Sequence, residues 1–311
     1  MTIAAVIDTI SNDTALNSPI SHDTIARTAW ATIAEPGDPN VGALIARYGA
    51  DTALTALFGR GADTPAGQDG TIAQLRSTIL PRYSVDRVVD TIRRTVAGGY
   101  ELLTPAHPNW PTSVDGLGAA APFALWMRGD ASILSVPSVA LTGTRFATRH
   151  GRHVCVDLAS GLLVHGWAIA STAARGIDTA ALMTAQAFTG RNLVVLPTGL
   201  DTAFPVENGE LVDEAATRGV VVSEIPPGSE PSAWRFQRGT QLLAALASKT
   251  VIVEAGYESG ALSTAVTALE LGRPCGAVPG RASSAANAGC TRLIRDYGAS
   301  LIGTSSDIVY L

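Results

Sequence analysis

Apolar positions along this chain follow two rhythms. From Thr28 to about Val96 they recur at helical spacing. Val41, Leu44, Ile45 and Tyr48 fall at i, i+3, i+4 and i+7, and Ala53, Leu54, Leu57 and Phe58 continue the stripe. The turn-rich stretch 61–70 breaks the pattern, and 72–80 and 85–96 predict two more helices. From Ser138 onward the rhythm changes to short apolar runs alternating with longer amphipathic ones. The runs Val139–Leu141, Ala168–Ala170, Leu193–Leu196, Val220–Val222, Val251–Val253 and Gly276–Val278 predict strands. Most are uninterrupted by polar residues, as in a parallel sheet buried on both faces. Helices are predicted between them at 149–164, 177–188, 207–217, 234–247 and 261–271.

Repeated βα units of this length define an α/β fold: a doubly wound, mostly parallel Rossmann-like sheet, preceded by a small helical N-terminal domain. The expected division is a flexible N-terminus over 1–27, a helical domain over 28–99, an extended connecting segment over 100–137 and the sheet domain over 138–311. The connecting segment is punctuated by Pro105, Pro108, Pro111, Pro122 and Pro137, with one strand candidate at Phe123–Met127. Ligands of such a sheet bind beyond the carboxyl ends of its strands.

Composition narrows the classes. The 311 residues, 46% hydrophobic and 16% charged, are enough for a large core and a smaller one. Three cysteines, Cys155, Cys275 and Cys290, without a C-x-x-C, make neither a disulfide framework nor a cysteine-rich zinc site, so a reducing cytoplasm is expected. No apolar run approaches the roughly 18 residues of a membrane span, and the start of the chain, with Asp8 and Asp13 and no early Lys or Arg, does not read as a signal peptide. The net charge of −5 argues against indiscriminate nucleic-acid binding but leaves room for a local basic pocket.

Four loops at predicted strand ends hold most of the polar residues that need explaining. Gly143-Thr144-Arg145 precedes a helix, whose free N–H groups and dipole suit an anion beside the Arg145 charge. The spacing from Gly143 to Gly151 does not make a dinucleotide fingerprint, which disfavours NAD. Ser171–Asp178 passes through small residues to Arg175-Gly176, where Arg175 can reach a phosphate; Asp178 either caps the helix or orients Arg175. Pro197–Asp201, followed by Phe204-Pro205, reads as a structural turn. Val253–Thr264 places Gly256 and Gly260 among Ser and Thr, as in an anion nest, although no Lys follows Gly260 to make a Walker loop. Glu254 there is either a buried strand-end carboxylate or a functional one. His150 and His153 share a helix face without a third metal ligand. Trp234 and Phe236, interleaved with Arg235 and Arg238, can either stack bases or pack a core.

Taken in order, these segments resemble the DNA-processing protein DprA/Smf family. The resemblance rests on Gly143-Thr144-Arg145, on Ser171–Asp178, on Gly199-Leu200-Asp201 with Phe204-Pro205, and on Ser223-Glu224-Ile225-Pro226-Pro227-Gly228. It continues through Val253-Glu254-Ala255 with Ser259-Gly260, and Gly272-Arg273-Pro274 with Ala277-Val278-Pro279-Gly280. Upstream, Pro108-Asn109-Trp110-Pro111, Met127-Arg128-Gly129-Asp130 and Ala34–Asp38 are similar as well.

The resemblance implies a binding protein rather than an enzyme, one that takes single-stranded DNA in a basic pocket and delivers it to the RecA recombinase in transformation or recombination. It implies a homodimer and neither a cofactor nor a metal. The implied DNA-binding set is Gly143, Thr144, Arg145, Ser171, Arg175, Gly176, Arg238, Ser259 and Gly260, with Asp178 and Glu254 as pocket carboxylates. Three departures stand out: Thr172-Ala173 makes a bulkier loop, Leu182 replaces a His, and Gly239-Thr240-Gln241 replaces an R-N-R segment, removing two charges. Each lost phosphate contact lowers the salt dependence of binding by roughly one unit of slope. The chain ends soon after the sheet, so the winged-helix domain of some relatives is expected to be absent. The alternative from another class is a nucleotide-binding enzyme or sensor of a related fold, phosphoribohydrolase-like, with Glu254 assisting departure of a base.

Overall fold

The computed structural model describes residues 20–59, 65–281 and 283–311. They form two compact units. One runs to Trp126 and takes in Glu224–Glu230; the other holds Met127–Ser223 and Pro231–Leu311.

The first unit is built on helices α1 (His22–Ile33), α2 (Pro39–Tyr48), α3 (Ala50–Phe58), α4 (Gly70–Thr78) and α5 (Val85–Ala97). Their starts are set locally. Ser21 accepts a hydrogen bond from Thr24 N, Asp38 from Asn40 N just ahead of a proline at the first helical position, and Ser84 from Arg87 N. The apolar stripe read from the sequence becomes the core, where Trp30, Leu54, Leu57 and Val88 are fully buried. The indole of Trp30 is satisfied by donating to Ala50 O at 3.0 Å. Residues 22–27, expected to belong to a flexible N-terminus, are instead the first turns of α1, held by the Ser21 cap. The remainder of that expectation, residues 1–19, lies outside the described residues. Strands β1 (Glu101–Leu103) and β2 (Leu125–Gly129) follow.

The second unit alternates β3 (Ser138–Gly143), α6 (Arg149–Val164), β4 (Ala168–Ser171), α7 (Ile177–Ala187), β5 (Asn192–Val195), α8 (Gly209–Arg218) and β6 (Val220–Ser223). It continues with α9 (Ala233–Leu246), β7 (Lys249–Glu254), α10 (Leu262–Glu270), β8 (Cys275–Ala277), α11 (Ala288–Asp296), β9 (Ser300–Leu301) and α12 (Ser305–Val309). The strands run in the order β6-β5-β4-β3-β7-β8-β9, and each adjacent pair is parallel. β3 is buried at every position, as its continuous apolar run requires. Alternation along β7 shows that both faces are covered. Val251 and Val253 pack with Leu158 and Leu162 of α6 and Ile177 and Ala181 of α7, whereas Ile252 packs with Ala265 and Ala268 of α10 and Leu293 of α11.

This is the expected α/β fold, with a doubly wound parallel sheet. From β3 the chain winds outward to β6, then returns to the other side of β3 and winds outward through β7, β8 and β9. The winding reverses between β3 and β7, so the loops leaving these two strands flank the crevice where such sheets bind ligands. Among the described residues, no helix is long and apolar enough to cross a membrane.

Candidate functional site

The loop after β3 is shaped by a close approach of backbones. The β3–β7 register slips between Thr142 and Gly143, which brings Gly143 opposite Glu254. A Cβ on Gly143 would stand 2.5 Å from Glu254 O and 2.8 Å from Ile177 Cγ1, so glycine is required there for packing. Thr144 N donates to Glu254 O at 2.6 Å, and Phe146 N donates to Thr144 Oγ1 at 3.2 Å. The turn leaves Arg145 and Phe146 projecting, with Phe146 89% exposed. Thr148 then caps α6 by accepting from Gly151 N at 3.0 Å.

The two carboxylates of these loops are both bonded to threonines. Glu254 is buried and accepts from Thr148 N and from Thr148 Oγ1, each at 2.7 Å. It ties the end of β7 to the start of α6. Asp178, also buried, accepts from Thr142 Oγ1 at 2.9 Å, Thr172 N at 3.1 Å and Thr172 Oγ1 at 2.6 Å. Burial pushes the Asp178 carboxyl above its ordinary value, against the opposing pull of the Thr172 and Thr142 hydrogen bonds. Of the roles open to Asp178 in the sequence, neither helix cap nor partner of Arg175 matches these bonds; it joins the loops after β3 and β4.

Above these carboxylates lies a cleft of about 730 Å³. Gly143, Thr144, Arg145 and Phe146 line it from β3, and Thr172 and Ala174 from β4. Phe236, Gln237 and Thr240 of α9 form a further wall, and Gly256, Ser259 and Gly260 close it from the loop after β7. An adjoining pocket of about 190 Å³ shares Arg145, Thr172 and Phe236 and adds Arg175, Pro197, Phe204 and Pro205. The Arg145 guanidinium lies over the Phe236 ring, 5.7 Å from its centroid. Phe204 meets Phe236 edge-to-face, with centroids 4.8 Å apart. Charge, aromatic faces and glycine-lined backbone therefore converge on one crevice, a combination suited to a phosphate-linked chain of flat rings. A larger groove of about 840 Å³ lies beside β8 and β9, lined by Leu269, Arg273, Leu301 and Tyr310 among others, and contains none of these loops.

The sequence-predicted residues divide between the cleft and its supports. Gly143, Thr144, Arg145, Asp178, Ser259 and Gly260 line the cleft, and Arg175 lines the adjoining pocket. Arg175 is exposed and ion-paired with Glu207, whose carboxyl is held below its ordinary value chiefly by that hydrogen bond. Three others lie outside the lining of both pockets. Ser171 is fully buried, and its hydroxyl is spent on Leu141 O at 3.2 Å. Gly176, at φ +82°, sits where a Cβ would meet Thr144 O at 2.2 Å, so it packs one loop against the other. Arg238 is 2% exposed and donates to Gln241 Oε1 at 2.7 Å, away from the cleft lining.

Helix phase explains Arg238. Phe236 and Thr240 are four residues apart and share the cleft-facing side of α9, which turns Arg238 to the opposite side. That signal was present in the sequence. The contribution of Phe204 was not, because its pairing with Phe236 joins a loop to a helix distant in the chain. In the altered segment, Gly239 lines the smaller pocket, and Thr240 Oγ1 lies 2.8 Å from Ser263 Oγ, joining α9 to the start of α10.

The fold defines an α/β protein of Rossmann-like architecture with a cleft at its strand ends. The chain belongs to the family of DNA recombination-mediator protein A, which matches residues 101–311. A Mycobacterium tuberculosis protein named as a DNA processing protein DprA is 37% identical over 296 residues, covering 90% of this chain and 74% of the relative. The X-ray structure of DNA processing protein A from Streptococcus pneumoniae superposes with a TM-score of 0.77 at 24% identity, covering 94% of this chain and 98% of that one. A Helicobacter pylori DNA processing protein A, described for its single-stranded DNA binding mode, superposes with a TM-score of 0.61 at 27% identity, covering 68% and 94%.

Proposed function

We propose that this chain binds single-stranded DNA in the cleft at the β3–β7 switch point and assists loading of RecA recombinase on that strand. The observation that carries this reading is Arg145 poised over Phe236, with Phe204 beside it, in a cleft walled by Gly143, Gly256 and Gly260. Arg145 and Arg175 supply phosphate contacts, the phenylalanines supply faces for bases, and Gly260, with open space where a Cβ would stand, lets the strand approach the backbone. Family membership and the Helicobacter pylori relative's DNA binding mode support the same reading. Binding rather than catalysis is the proposed role, because Glu254 and Asp178 are both committed to threonine partners. The phosphoribohydrolase-like alternative needs Glu254 for its chemistry, and those bonds argue against it. A homodimer and a cytoplasmic setting complete the proposal. Supporting the latter, Cys155, Cys275 and Cys290 are unpaired and buried, and burial pushes their thiols up to about 12, 11 and 12.

Fluorescence anisotropy with labelled oligo-dT and with duplex DNA, over a salt series, tests the binding. Single-strand preference with steep salt dependence is expected; absence of oligo-dT binding at low salt overturns the reading. RecA filament growth on oligo-dT coated with single-stranded-DNA-binding protein tests loading, with faster growth expected in the presence of this chain. Light scattering after size-exclusion chromatography tests the dimer.

A further inference from the structure

The loop after β7 carries an aromatic residue that the cleft does not use. Tyr257 sits between Gly256 and Glu258, both on the cleft wall, yet is not part of the lining and is 59% exposed. From α11, the Arg292 guanidinium lies 4.7 Å from the Tyr257 centroid and 5.5 Å from that of Tyr297, itself 43% exposed. Arg292 Nη2 also donates to Tyr297 OH at 3.2 Å. One cation thus holds two exposed rings in place, each within the range at which a guanidinium is attracted to an aromatic face. The neighbouring acid, Asp296, is gripped by Arg295 through both carboxylate oxygens, at 2.6 and 2.9 Å.

We propose that Tyr257 and Tyr297, clamped by Arg292, form a nucleobase-stacking platform that receives bases of single-stranded DNA where the strand leaves the cleft across the loop after β7. This rests on the reading of the cleft as a single-strand site. Pre-positioned rings suit the role because every base has a π face, so stacking is tolerant of sequence, and a rigid ring loses little freedom on binding. Glu258 places one negative charge on the cleft wall beside Tyr257, so attraction at the platform rests on stacking more than on phosphate charge. The platform should therefore add affinity with little added salt dependence.

The test uses the full chain and labelled oligo-dT of graded length in anisotropy titrations. Wild type is compared with Tyr257→Ala/Tyr297→Ala and with Tyr257→Phe/Tyr297→Phe, each checked for an unchanged thermal melt. Short oligonucleotides confined to the cleft should bind the Ala pair as tightly as wild type. Longer ones should bind it at least about fivefold more weakly, with the salt slope unchanged and the Phe pair near wild type. An Ala pair that follows wild type at every length overturns the platform and leaves the cleft reading standing. Equal losses at every length, or a change in self-association in place of the length effect, overturn it as well. Failure of wild type to bind any oligo-dT overturns the cleft reading and the platform with it.

Discussion

Arg145 holds its guanidinium 5.7 Å from the centroid of the Phe236 ring. The two residues come from different elements, the loop after β3 and the second turn of α9. Their meeting gives the cleft a positive charge and a flat apolar face at one point. The contact lies within the range of cation–π attraction, which favours this placement of the Arg145 guanidinium.

The two halves of that contact should separate in a salt titration. Arg145→Ala is expected to weaken oligo-dT binding and to reduce the slope of log K against log salt by roughly one unit. Phe236→Ala is expected to weaken binding by about 1–3 kcal/mol, the range for loss of one stacked base, with the slope retained. Anisotropy at several salt concentrations reads both quantities. Equal slopes in the two variants would remove Arg145 from the phosphate path.

Two glycines offer a contrast between support and approach. At Gly176, a Cβ would meet Thr144 O at 2.2 Å on a backbone with φ +82°. Gly176→Ala should therefore destabilise the fold by more than about 1 kcal/mol and loosen the Arg145 loop, lowering both the melting temperature and DNA affinity. Nothing lies within 4 Å of a Cβ built on Gly260, which lines the cleft. Gly260→Ala should leave the melt unchanged while still weakening oligo-dT binding. A melt that falls for Gly260→Ala, or affinity that does not, would show that the strand runs elsewhere.

The difference between those glycines marks how far the sequence could be read. β3, β4, β6 and β7 were legible because their short apolar runs are buried on both faces. β9 was not, since Ser300 and Leu301 make a two-residue exposed strand with no run to detect. Loop motifs placed Gly143, Arg145 and Gly260 at one site because strand ends of a parallel sheet share one edge. Motifs alone could not tell Gly260, which faces open space, from Gly176, which is wedged against Thr144. Nor could they show that Glu254 is occupied by Thr148, a partner reached only when β7 and α6 are packed.

That occupation makes Glu254 a stability residue. Glu254→Ala strips the acceptors from the Thr148 N–H and hydroxyl, and a buried group left without a partner costs about 1–3 kcal/mol. Thermal or urea denaturation should show a loss in that range or above. Glu254→Gln, which keeps one carbonyl oxygen, should fall between Ala and wild type. A Glu254→Ala protein as stable as wild type would mean that the Thr148 link contributes little.

Asp178 should leave a signature in the pH dependence of stability. Burial raises its folded pKa above the ordinary 3.8, so the folded state holds the proton more tightly than the unfolded chain. Its stabilising contribution is complete below the unfolded value, declines as pH rises between the two values, and is gone above the folded one. Asp178→Asn has no proton to lose, and its amide can still accept from Thr172 and bond Thr142. Urea midpoints across the acid-to-neutral range should fall with pH more steeply for wild type than for Asp178→Asn. Parallel profiles would show that Asp178 ionises in the fold as it does in the unfolded chain.

Arg175 presents the opposite problem, a cation facing the pocket but already engaged. It is ion-paired with Glu207 at an exposed site, where solvent screening leaves such a pair little net stabilisation. A phosphate must compete for the same guanidinium, and the Glu207 carboxylate also repels it. Glu207→Gln should therefore tighten oligo-dT binding by up to about fivefold at low salt, with the gain fading as salt rises. Arg175→Ala should weaken binding, and Glu207→Gln should then bring little improvement in the Arg175→Ala background. Anisotropy on the four proteins of this double-mutant cycle measures the coupling. If Glu207→Gln gains as much without Arg175 as with it, the effect is general charge repulsion, and Arg175 is not the phosphate ligand.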